Sequence, residues 1–274
     1  MAREVFTDVA GLRVRHLEEG RGAAVVFLHG ASLGSSADVW AANLDDFAAR
    51  GFRAIAPDLP GFGLSDDSAD HSVAFRTAFV PRFLDALALD SANVVGHSQS
   101  GRIAVGLALK QPDRVAKIVV VGTASMLPPL ADAAGTRSDD AEGDEGGSKE
   151  TTLEDARRML EANVFDRTLV TDAAVELRHR MSTGRNFAAF VARQGAKRGK
   201  SGGESQPLWQ RLAEVNVPMR LIYGRQDRAA EKRVELARSR YPGLDIHLVD
   251  RCGHLVQWDV RERFAALVSD FLKP

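Results

Sequence analysis

A serine hydroxyl becomes a useful nucleophile only where a neighbouring base can take its proton, and one serine of this chain stands in a setting that allows it. Ser98 lies in Val94-Val95-Gly96-His97-Ser98-Gln99-Ser100-Gly101-Arg102, after an apolar run and before a helical one. A serine at such a strand-to-helix turn is held in a strained backbone conformation, with its hydroxyl raised at the C-terminal edge of the sheet. The turn presses strand against helix, so small residues are needed two before and two after it. Gly96 fits, and Ser100 takes the second position in place of the usual glycine, with Gly101 behind it. A phosphate-binding turn would need G-x-G-x-x-G spacing, which is absent.

The chemistry then requires an imidazole as base, a carboxylate to orient it, and two fixed N–H donors for the developing oxyanion. Asp227 ends the run Leu221-Ile222-Tyr223-Gly224-Arg225-Gln226-Asp227, and His254 follows Cys252-Gly253, 27 residues later. Each falls just beyond an apolar strand, and the order serine, acid, histidine suits a triad built at one sheet edge. Asp250 is the second choice of acid. The N–H of Gln99, after the nucleophile, and that of Ala31, in His29-Gly30-Ala31-Ser32-Leu33-Gly34, are the expected oxyanion donors.

These positions presuppose a particular scaffold. Strands are expected at residues 3–8, 12–17, 24–28, 54–56, 93–95, 118–121, 219–223 and 246–249, several of them short continuous apolar runs of the kind buried on both faces. Helices are expected at 75–87 and at 102–111, the latter stopped by Pro112, and Phe264, Leu267, Val268 and Phe271 form one apolar face of a last helix. Alternating strands and helices make an α/β protein with a mostly parallel sheet of eight strands covered on both sides. From 125 to 208 the alternation stops. Leu153, Ala156, Leu160 and Val164 share a helix face, and Thr171 or Asp172 caps the next helix. The expected division is a core of residues 1–124 and 209–274 with a helical lid, or cap, at 125–208. Residues 135–150, with six acids and four glycines, and 195–203, with three bases, are expected to be hinges or loops.

Composition narrows the partners. The 274 residues carry 36 basic and 37 acidic side chains, so no overall field draws in nucleic acid or an anionic membrane. No stretch approaches the roughly 18 apolar residues of a spanning helix, and the first residues lack a signal-peptide core. A cytoplasmic protein is expected. The one cysteine, Cys252, reads as a small buried residue rather than a nucleophile, and no histidine pair has metal-ligand spacing, so no metal and no organic cofactor is expected. Gly199-Lys200-Ser201 ends like a P-loop, but Gln194 stands where its first glycine belongs.

With these motifs in this order, and with Pro57-Asp58-Leu59-Pro60-Gly61-Phe62-Gly63-Leu64-Ser65 as a further familiar segment, the chain resembles the α/β-hydrolase superfamily over nearly its whole length. Ser98 stands where haloalkane dehalogenases and epoxide hydrolases carry an aspartate nucleophile. The lid segment 152–180 and the run Cys252-Gly253-His254-Leu255-Val256-Gln257-Trp258 are similar to the meta-cleavage product hydrolases. These cleave a carbon–carbon bond in 2-hydroxy-6-oxo-dienoates from aromatic ring fission. The resemblance implies a small carboxylate substrate clamped by Arg180, or by Arg178 in the alternative register, through paired hydrogen bonds. It also implies a substrate pocket drawing on Asn43, His97, Leu255 and Trp258, and an assembly that is often a dimer. The chain departs from the pattern at His97, where an asparagine is common, at Leu255, where a tryptophan is common, and in its less glycine-rich Ala31-Ser32 loop. An ester or lactone hydrolase with the same triad is the alternative activity, and a non-enzymatic binding protein on the same fold is the alternative of another class.

Overall fold

The computed structural model describes residues 2–130, 149–198 and 206–273. Eight strands form: β1 (Arg3–Val9), β2 (Leu12–Glu19), β3 (Ala23–Leu28), β4 (Phe52–Pro57), β5 (Ala92–His97), β6 (Val115–Val121), β7 (Met219–Gly224) and β8 (Asp245–Val249). They build one sheet in the order β1-β2-β4-β3-β5-β6-β7-β8. β1 and β2 run antiparallel to their neighbours, and the remaining pairings are parallel.

Strand alternation sorts the apolar side chains onto the two faces. Ala24, Val26 and Leu28 of β3 enter one core, whereas Val25 and Phe27 enter the other; Ile118 and Val120 of β6 part company with Val119 and Val121 in the same way. The first core is closed by helices α2 (Val73–Ala86), α3 (Ser100–Lys110) and α8 (Ala230–Arg240), and the second by α1 (Ala41–Ala48), the short α9 (Val256–Asp259) and α10 (Arg261–Leu272). Phe264 and Val268 of the last helix are fully buried there, with Leu267 and Phe271 packed beside them.

Between β6 and β7 the described residues contain helices and no strand: α4 (Leu153–Glu161), α5 (Asp172–Arg180), α6 (Arg185–Arg198) and the single turn α7 (Leu208–Arg211). Thr152 and Asp155 start α4 with reciprocal side-chain to backbone hydrogen bonds, and the Thr171 hydroxyl accepts from the Ala174 N–H to cap α5. Ala156, Leu160, Val164, Val170 and Val175 form a small third core with Leu255. Leu153, expected on the same face, is half exposed, because it lies in the first turn of α4, away from Leu160 and Leu255. Of the two charged segments, residues 135–148 and 199–203 lie outside the described residues, and the Gly199-Lys200-Ser201 run lies there too. Glu150 accepts a hydrogen bond from the Gly184 N–H at 2.7 Å. Among the described residues no helix is long and apolar enough to cross a membrane.

The order in which strands are added reverses at β3: β4 lies on one side of it and β5 on the other. The loops leaving β3 and β5 therefore diverge at their C-terminal ends, and such a switch point opens a crevice. The residues singled out for chemistry sit on that edge.

Candidate active site

Ser98 follows β5 directly and has a φ of 55°, in the left-handed region that side chains other than glycine avoid. Neighbours hold it there. Its N–H donates to the Val121 carbonyl at 2.8 Å, and its carbonyl accepts from the Thr123 hydroxyl at 2.6 Å. The buried Tyr223 of β7 in turn donates to the Thr123 carbonyl. A Cβ on Gly96 would run into the Ser100 backbone, and one on Gly101 into the Thr123 hydroxyl, so the close approach falls on residues 96 and 101. That explains why serine is tolerated at 100: its side chain donates to the His29 carbonyl, tying α3 to the loop after β3.

His254 receives its orientation from Asp227, whose Oδ2 accepts from Nδ1 at 2.8 Å. Both side chains are largely buried. Burial pushes the Asp227 carboxyl up, but the neighbouring imidazole, by charge and hydrogen bond, brings it below the usual carboxylate range. An ionised carboxylate on Nδ1 leaves Nε2 as the nitrogen that can accept a proton. Asp250, the other acid considered, pairs with Arg225 instead. Ser98 and His254 line one cleft.

The candidate oxyanion donors, Ala31 and Gln99, each follow a residue of the cleft wall, Gly30 and Ser98. A Cβ added to Gly30 would come within 3.3 Å of both the His97 ring and Ser98 Cβ. His97 is itself in the wall. Its ring packs on that of His254 at 4.7 Å, and its Nε2 donates to the His254 carbonyl at 3.1 Å. Burial, then the charge of His254, drives its pKa down to about 3, so it is a neutral prop for the His254 backbone. Leu255 also lines the cleft and carries its surface into the core shared with α4 and α5.

Three expected contacts are placed differently. Arg180 is exposed and outside the cleft wall, whereas Arg178 lines it and donates to the Ser32 hydroxyl at 2.7 Å. Two residues are about 200° of helix rotation, so only one of the pair can face inward. Asn43 is buried away from the wall, its amide donating to the Gln257 carbonyl at 3.1 Å. Trp258 stands behind the wall: its indole N–H donates at 2.8 Å to the carbonyl of Val39, which does line the cleft. Asn163 and Met159 of the inserted helices and Arg228, next to Asp227, complete the wall without having been expected there. Arg228 adjoins the acid in sequence, the one signal that would have suggested it.

The inserted segment is fastened to the histidine loop. The Asp259 carboxylate accepts from the N–H groups of Gly253, Phe165 and Asp166, and the Leu255 N–H donates to the Asn163 carbonyl at 2.8 Å. Among the described residues no three His, Cys, Asp or Glu side chains cluster in a way that would hold a metal ion.

This architecture is that of a known family. Residues 25–267 match the alpha/beta hydrolase family, and the chain belongs to it. It is similar to the 2-hydroxy-6-oxononadienedioate/2-hydroxy-6-oxononatrienedioate hydrolase of Burkholderia vietnamiensis (strain G4 / LMG 22486), with 31% identity covering 98% of this chain and 94% of that one. The 2-hydroxymuconate semialdehyde hydrolase of Pseudomonas sp. (strain CF600) is 30% identical, over 99% and 94% of the two chains. Among solved structures, a serine hydrolase involved in carbazole degradation (CarC) shares the fold with a TM-score of 0.80 over 99% of both chains, at 24% identity. The protein is a hydrolase of the alpha/beta fold.

Proposed function

We propose that this hydrolase cleaves the C5–C6 bond of a 2-hydroxy-6-oxo-dienoate, the class of ring-fission product formed in aromatic catabolism. The observation that carries the reading is the pairing, in one cleft, of Ser98 and His254 with the guanidinium of Arg178. The names of the two relatives point to the same substrate class. Residues 125–208 act as the lid over that cleft, and the enzyme works in the cytoplasm on a small carboxylate, without nucleic acid or membrane.

Arg178 holds the C1 carboxylate, and the substrate is taken up as its C5-protonated keto form. His254, oriented by Asp227, withdraws the proton from Ser98, or from a water beside it, as the oxygen attacks the C6 ketone. The N–H groups of Ala31 and Gln99 receive the oxyanion. When the C6 carbonyl re-forms, the C5–C6 bond breaks with its electron pair going to C5, where the 2-oxo group delocalises it into a dienolate, and a proton from His254 completes the 2-hydroxydienoate. Where Ser98 itself attacked, C6 is left as an ester of Ser98, which a water deprotonated by His254 then hydrolyses, returning the proton to Ser98; in either route the oxygen of water ends on C6 as a carboxylate.

The test is product stoichiometry in water enriched in heavy oxygen. One equivalent of substrate should give one of 2-hydroxydienoate and one of carboxylic acid, with the heavy oxygen in the acid. Ester or lactone hydrolysis without dienoate cleavage would reject the substrate assignment and leave the serine chemistry in place.

A further inference from the structure

The cleft that holds Ser98 and His254 also carries two hydroxyls with no part in the reaction as proposed, those of Ser32 and Ser35. Ser32 Oγ accepts from a guanidinium nitrogen of Arg178 at 2.7 Å and stands 3.1 Å from Ser35 Oγ. A hydroxyl has one hydrogen to donate and two lone pairs to accept with. One of the pair's two hydrogens lies between the two oxygens, and the other has no acceptor among the described residues. The cleft wall supplies no anion for it: the wall holds the guanidiniums of Arg178 and Arg228 and no carboxylate.

Burial decides which hydrogen is left over. Ser35 is 6% exposed, whereas Ser32 is less buried. A buried donor with nothing to bond is costly, so the unused hydrogen belongs to the more accessible oxygen. Ser35 therefore donates to Ser32, both Ser32 lone pairs are filled, and the Ser32 hydrogen is turned to the cleft. Accepting two hydrogen bonds, one of them from a cation, polarises the Ser32 O–H and makes it a stronger donor.

This donor is also ordered in advance. The Ser35 N–H donates to the Ser32 carbonyl at 3.0 Å, closing a turn, and Gly34 within that turn has a φ of 78°. A Cβ added to Gly34 would come 2.6 Å from the Arg178 carbonyl oxygen and 2.9 Å from its Cδ and Nε. The loop after β3 and α5 thus interlock at Arg178, and an incoming anion meets a guanidinium and a hydroxyl that are already fixed. Ser32 stands where this loop departs from the more glycine-rich pattern of the meta-cleavage product hydrolases, so the donor is a feature of this chain.

We propose that Ser32 is a specificity-determining residue, its hydroxyl donating to the C1 carboxylate that Arg178 also holds. The identity of that carboxylate rests on the function proposed above; the readiness of the hydroxyl for an anion follows from the geometry alone.

Two measurements on the full-length protein decide this. In the first, calorimetric titration with sorbate, a hexa-2,4-dienoate with no oxygen at C2, reads the site without turnover, and neutral sorbamide is the control. The wild type should bind sorbate in preference to sorbamide. Ser32→Ala should weaken sorbate binding about 10- to 100-fold, the range for a hydrogen bond to a charged group, and Ser32→Thr, which keeps the hydroxyl, should weaken it less. No preference for sorbate in the wild type, or a Ser32→Ala affinity no lower than that of the wild type or of Ser32→Thr, overturns the proposal. In the second, kcat/KM for a phenyl-substituted dienoate is measured in Arg178→Gln and in Arg178→Gln/Ser32→Ala, because Ser32→Ala alone also takes an acceptor from Arg178. A hydroxyl that touches the carboxylate gives a further loss of about tenfold in the double variant. No further loss means that Ser32 only steadies Arg178, and the proposal fails while the proposed function stands. If no dienoate is turned over by the wild type, the proposed function fails, and the sorbate titration alone decides whether the hydroxyl serves an anion.

Discussion

Replacing His97 with asparagine should make the protein more resistant to acid, by an amount that its surroundings fix. The His97 ring is buried against His254 and stays neutral down to about pH 3, whereas an unfolded chain protonates its histidines near pH 6.5. Between those values the unfolded state binds one more proton than the folded state, so stability is complete above pH 6.5 and is lost as pH falls. Each pH unit below 6.5 costs about 1.4 kcal/mol, and at pH 5 the loss attributable to His97 is about 2 kcal/mol. His97→Asn keeps a donor for the His254 carbonyl and has nothing to titrate. The assay is urea unfolding of both proteins at pH 7 and pH 5. His29, held neutral by burial down to about pH 4, and Asp58, raised by burial, act in both proteins and cancel. The wild type should lose about 2 kcal/mol more than the variant between the two pH values. Equal losses would show that His97 is not a buried neutral imidazole and would remove its role as a prop.

Other consequences are as direct. Arg178→Gln should reduce kcat/KM for a dienoate, relative to p-nitrophenyl acetate, by about 10- to 100-fold, the value of a charged contact inside a cleft; a proportionate loss on both substrates would reject the clamp. Asp259→Ala removes one acceptor shared by three backbone N–H groups, and should lower stability by about 2–3 kcal/mol and depress kcat as the histidine loop loosens. Unchanged urea unfolding and unchanged kcat would show that the fastening of insert to loop is idle.

What the sequence discloses here follows from how local each requirement is. Gly96 and the small residues after Ser98 are demanded by a single turn, and apolar runs ending at Asp227 and His254 mark strand ends without reference to the rest of the chain. The strands themselves were legible because side chains buried on both faces leave continuous apolar runs, as in Ala23–Leu28. Arg178 and Arg180 differ only in which way α5 is turned, and that depends on Val175 packing toward Leu255, a contact between distant parts of the chain. Asn43 is subject to the same uncertainty on α1: its amide faces Gln257 because the helix packs against the C-terminal region. Leu255 was visible as a departure from the family pattern, but its part in joining the cleft to the core of the insert appears only in the folded chain.

Carbon–carbon cleavage by this protein depends on Ser98. The most direct measurement is the decay of absorbance of a phenyl-substituted 2-hydroxy-6-oxo-dienoate, run beside p-nitrophenyl acetate, with folded Ser98→Ala as control. Rapid loss of the dienoate colour by the wild type and none by Ser98→Ala is the predicted result. Substantial turnover by Ser98→Ala, or a wild type that cleaves the ester and leaves the dienoate untouched, would contradict it.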